Sequence, residues 1–60
     1  MEGKPHAVGE TLIINLDGCV QSVHVMDREV YKEGNVRYYL QTQDGKELYL
    51  SHDELERMRE

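Results

Sequence analysis

Residues 36–50 carry the clearest pattern of apolar and polar positions in the chain. Tyr38, Leu40, Leu48 and Leu50 recur at alternate positions on either side of Asp44-Gly45. That is the period of two strands that each bury one face. The turn decides which residues meet. A two-residue loop would set Leu40 opposite Tyr49 and divide the leucines between two faces. A three-residue loop, Gln43-Asp44-Gly45, pairs Thr42 with Lys46, Leu40 with Leu48, Tyr38 with Leu50 and Tyr39 with Tyr49. Only the second register gathers the aliphatics on one side. It also places Gly45 where a type I turn closes on a left-handed residue. Val36, Tyr38, Leu40, Leu48 and Leu50 are therefore expected inside, with Tyr39 and Tyr49 paired on the outer face.

The first half predicts two more strands. Over residues 8–16, Val8, Leu12, Ile14 and Leu16 share a face, leaving Ile13 on the other. Asp17-Gly18 is a second hairpin turn signal. Over residues 19–27, Val20 and Val23 are three apart, which breaks the alternation. A bulge at Gln21-Ser22 would bring Val20, Val23 and Val25 to the core and bend the strand, as a small barrel requires. The alternative is a regular strand with Val20 exposed. The strand can run on through Val30-Tyr31 and turn at residues 32–35 into Val36.

After Leu50 the period changes. Ser51-His52-Asp53-Glu54 has the capping-box form, in which Ser51 and Glu54 satisfy each other's free amides. Leu55 and Met58 give a narrow apolar stripe, and Arg57 and Arg59 suit a helix C-terminus. One short helix over residues 51–59 is expected, docked on the sheet because it is too short to stand alone. The alternative is a single 3-10 turn over residues 53–55 with a short closing strand at 57–59.

Sixty residues make one domain, 8–60, preceded by a flexible arm over 1–7 that holds Gly3 and Pro5. Phe and Trp are absent, so aliphatics and Tyr must form the core. One cysteine, Cys19, excludes an internal disulfide and a multi-cysteine zinc site. No apolar run approaches the roughly 20 residues that span a bilayer, and residues 1–6 lack a signal-peptide core. A cytoplasmic protein without membrane contact is expected. The net charge of −5 disfavours a surface that tracks phosphates.

The order of these signals resembles a known pattern. Val8-Gly9-Glu10 opens a strand, and Asp17-Gly18 turns into a bent strand carrying Val23 and Val25. Tyr38-Tyr39-Leu40, Asp44-Gly45, Leu48 to Leu50 and Asp53-Glu54-Leu55 follow. Over residues 8–55 this resembles the small SH3-like barrels of the KOW and Tudor type. The resemblance implies an all-β, mainly antiparallel barrel of four to five strands with a short C-terminal helix or 3-10 turn. It carries no chemistry across: four positions of a Tudor aromatic cage do not align. Asp17-Gly18-Cys19-Val20 also puts an acid where KOW segments are often basic. Such likeness bears on fold alone.

The candidate chemistry is sparse. His6, His24 and His52 are scattered and are read as exposed or locally hydrogen-bonded rather than as metal ligands. Cys19 lacks an identifiable base, orienting group and oxyanion site, so it is read as structural or incidental. Asp53, Glu54 and Glu56 read as a solvated helix face. No acid, base and nucleophile converge, so neither an enzyme nor a cofactor is expected. What remains is an aromatic surface of Tyr31, Tyr39 and Tyr49 with Arg37. This surface, or an exposed strand edge, is expected to bind a protein partner or a second copy of the chain. Single-stranded nucleic acid, stacked on the tyrosines with Arg28, Lys32 and Arg37, ranks second.

Overall fold

The computed structural model describes residues 5–60, apart from the side chain of residue 33. Four strands, β1 (Thr11–Leu16), β2 (Cys19–Val30), β3 (Val36–Thr42) and β4 (Glu47–Ser51), form one antiparallel sheet in chain order. A short 3-10 turn (Lys32–Gly34) links β2 to β3, and α1 (His52–Met58) follows β4. The protein is thus mostly antiparallel sheet with one C-terminal helix. Among the described residues no helix is long and apolar enough to cross a membrane.

The β3–β4 hairpin has the expected register: Leu40 opposes Leu48, Tyr38 opposes Leu50, and Tyr39 opposes Tyr49. The Thr42 amide donates to the Lys46 carbonyl at 2.8 Å, and Gly45 has φ +92°. The first hairpin turns on two residues, Asp17 at φ +53° and Gly18 at φ +81°, the two positive angles that a type I′ turn needs.

Leu12, Ile14, Val23, Val25, Val36, Tyr38, Leu40 and Leu55 form the buried core, with Leu16, Leu48, Leu50 and Met58 packed at its margin. Ser51 caps α1 through the complete capping box with Glu54. Leu55 plugs the helix into the core. Beyond the helix, Arg59 makes a single bridge to Ile14, and the Glu60 amide donates to the Ile13 carbonyl at 3.1 Å. The chain thereby returns to the free edge of β1, combining the expected helix with a one-residue version of the closing strand.

Three expectations are corrected. The first strand starts at Thr11, not Val8. The Glu10 amide donates to Ala7 in a turn, with Gly9 at φ +92°, so Val8 sits on the turn and is exposed. The β1–β2 ladder runs unbroken through Gln21 and Ser22, and Val20 is 56% exposed opposite Asn15. The bulge lies instead at Met26, where Val25 opposes Leu40 and Asp27 opposes Tyr39. Finally, His6 within the expected free arm is buried, at 7% exposure. Residues 1–4 of that arm lie outside the described residues.

The bulge has a consequence for the surface. A strand alternates faces, and one extra residue reverses the phase. Before Met26, Val23 and Val25 point inward. After it Arg28 opposes the inward Tyr38, while Asp27 and Glu29 oppose Tyr39 and Arg37. The bulge therefore transfers Glu29 to the outer face.

Candidate functional site

All four residues expected on the contact surface come together. Tyr39 and Tyr49, opposite each other in the ladder, have ring centroids 4.6 Å apart. The Arg37 guanidinium lies over the Tyr49 ring, 5.6 Å from its centre. Tyr31, just beyond β2, brings its hydroxyl within 2.9 Å of the Tyr49 hydroxyl. Tyr31, Tyr39 and Tyr49 remain 45%, 40% and 43% exposed as residues.

Glu29 organises the cluster and was not visible from sequence periodicity. Its carboxylate accepts from the hydroxyls of Tyr31, Tyr49 (3.2 Å) and Tyr39 (3.4 Å). Hydrogen bonding to this carboxylate, then to Tyr49, pushes the Tyr31 hydroxyl well above the usual tyrosine range. Tyr39 is also raised, first by desolvation and then by the negative charge of Glu29. Only the positions of Val30 and Val36 hinted that β2 reaches this far, because a continued strand brings Glu29 opposite Arg37.

Met26, the extra residue of the bulge, is 53% exposed on the same side as Tyr39. With Tyr39, Leu40, Gln41, Glu47 and Leu48 it lines a hollow of about 180 Å³. A larger open groove of about 700 Å³ runs from Tyr31 and Arg37 to Ser51, His52 and Asp53. Ile13 is exposed but separated from the tyrosines by β2, so it does not extend the patch. Arg28 is also outside it, donating to the His6 carbonyl at 2.9 Å.

A second cluster lies under the arm. The His6 amide donates to the Tyr38 hydroxyl at 3.1 Å, and His6 Nε2 is 2.7 Å from Glu56 Oε2. His6 Nδ1 is 3.3 Å from Glu10 Oε2, and His52 Nδ1 is 2.8 Å from the Tyr38 hydroxyl. The His6 contact is the largest cause holding the Glu56 carboxyl below its ordinary range. Glu10 is lowered as well, chiefly by the Ala7 amide, which donates to its Oε1 at 2.9 Å. Two histidines thus converge with a carboxylate, contrary to the reading of all three as scattered. His24 does not join them; its Nδ1 is 2.8 Å from the Thr11 hydroxyl. Cys19 is exposed at the start of β2.

No family model, curated protein or solved structure matches the chain.

Proposed function

We propose that the protein is a non-catalytic, cytoplasmic interaction module of SH3-like barrel form. Its tyrosine face takes a basic side chain of a protein partner. The observation that carries this reading is the Tyr39–Tyr49 pair held around the Glu29 carboxylate. Aromatic faces attract cations through their quadrupole, by about 0.5–1 kcal/mol at exposed sites. Glu29 supplies a full negative charge at the same point. The Met26–Tyr39 hollow offers apolar surface for the stem of a lysine or arginine, with Glu47 at its edge for the charged head. The hydroxyl bonds to Glu29 fix the rings before the partner arrives, which reduces the ordering cost of binding. The net charge of −5 favours encounter with a basic partner.

The test is titration of the labelled chain with lysine- and arginine-containing peptides and with matched peptides carrying glutamate instead. Basic peptides are expected to give saturable shifts at Met26, Tyr39 and Tyr49. Tyr39→Ala and Glu29→Gln should weaken binding about tenfold or more, about 1.4 kcal/mol. Failure of every basic peptide to bind, or binding indifferent to both substitutions, overturns the reading. Sedimentation at several concentrations tests whether a second copy takes the same face.

The Arg37 guanidinium over Tyr49 favours a second reading, a KOW-like module that stacks single-stranded nucleic acid. Oligonucleotide binding that weakens with salt and is lost in Arg37→Ala would support it.

A further inference from the structure

We propose that His6, His52 and Glu56 bind one borderline divalent cation of the Zn²⁺ class.

His52 and Glu56 are four apart on α1, so they project from the same side of the helix. His6 reaches them from the opposite end of the chain. Its main chain is held there twice, by its amide on the Tyr38 hydroxyl and by Arg28 on its carbonyl. The three residues offer ligand atoms that all lie within 4.8 Å of one another. Zinc bonds of about 2.1 Å set tetrahedral ligand atoms roughly 3.4 Å apart. Rotations of the half-buried His52 and the solvent-exposed Glu56 can close that difference, while His6 stays fixed.

The outer contacts are those a metal-binding histidine uses. Such a ring donates its second N–H to a carboxylate or another acceptor, which fixes the tautomer and ring orientation. Glu10 stands at His6 Nδ1 and is itself held by the Ala7 amide. The Tyr38 hydroxyl stands at His52 Nδ1. With Nδ1 so engaged, Nε2 is the nitrogen each ring has left for a metal, and that of His6 already lies 2.7 Å from Glu56 Oε2. The ion pairs hold His6 between Glu10 and Glu56, and the Tyr38 hydroxyl holds His52 beside them, so both imidazoles are fixed next to the one carboxylate. Two imidazoles and one carboxylate select zinc-like ions over calcium and magnesium, which prefer oxygen ligands. His52 also borders the open groove, so a fourth position is accessible to water or a small ligand.

The experiment is calorimetric titration of the chelator-treated 60-residue chain with Zn²⁺ near neutral pH, with Co²⁺ as a spectroscopic probe. One ion per chain is expected, with the visible bands of four-coordinate cobalt. Zn²⁺ should shift the ring nitrogens of His6 and His52 but not those of His24. His52→Gln and Glu56→Gln should each lower affinity at least tenfold, and Glu10→Gln about 10- to 100-fold. Cys19→Ser and His24→Gln should leave it unchanged. Absence of saturable binding overturns the proposal, as does binding that depends on Cys19 or His24. The ring-nitrogen shifts are read on the unsubstituted chain, so they decide the matter even if a variant fails to fold.

Discussion

Tyr39 and Tyr49 stand directly opposite each other in the β3–β4 ladder, with ring centroids 4.6 Å apart and planes tilted by 33°. Cross-strand aromatic pairs stabilise a sheet by about 0.5–1 kcal/mol beyond separate burial. A urea-denaturation cycle of Tyr39→Ala, Tyr49→Ala and the double variant should return a coupling of about that size. A coupling near zero would mean that the rings lie side by side without stabilising the sheet.

The Tyr38 hydroxyl holds the arm to the helix, since it meets the His6 amide and His52 Nδ1 while its ring is fully buried. Tyr38→Phe keeps the core volume but deprives a buried N–H of its acceptor. The expected cost is about 1–3 kcal/mol. Faster amide exchange at His6, with the β3–β4 amides still protected, would localise the loss to the arm.

The helix depends more on its plug than on its cap. Leu55 has no exposed surface, and truncation of such a residue costs about 2–5 kcal/mol. Loss of a serine cap costs about 0.5–2 kcal/mol. A domain of this length has only about 3–9 kcal/mol in total. Leu55→Ala should therefore lower the thermal midpoint far more than Ser51→Ala, and the reverse order would show that α1 is secured mainly at its N-terminus.

Gly45 has φ +92°, and a Cβ added there would meet nothing within 4 Å. The cost of Gly45→Ala is then backbone strain without collision, about 1–2 kcal/mol. Gly45→Asn should cost less, because asparagine tolerates the left-handed region better. Equal losses in chemical denaturation would contradict a purely conformational origin.

The same turn makes stability sensitive to acid. The Thr42 hydroxyl, then the Lys46 amide, hold the Asp44 carboxyl below its ordinary value. The contribution is present above the unfolded value of about 3.9 and is lost as pH falls through the lower folded value. Asp44→Asn should destabilise the protein at neutral pH, and the gap to the unsubstituted chain should shrink below pH about 4. Urea midpoints across that range check the sign, and a constant gap would exclude the linkage.

The sequence alone determined the elements whose instructions are local. Alternation around Asp44-Gly45 allows only one register that unites Leu40 with Leu48. Asp17-Gly18 marks a hairpin turn, and Ser51 with Glu54 marks where the helix starts. Each signal is complete within a few residues, so no distant contact is needed to read it. Tertiary structure decided what depends on two neighbours at once. β2 pairs with β1 on one side and β3 on the other, and both ladders must keep their inward residues over one core. Their joint demand moved the bulge from Gln21-Ser22 to Met26, left Val20 exposed and turned Glu29 toward the tyrosines. His6 likewise has no local signal, because the acceptor that buries it belongs to Tyr38, 32 residues away. Periodicity assigns a residue to a face, but only the packed chain says what covers that face.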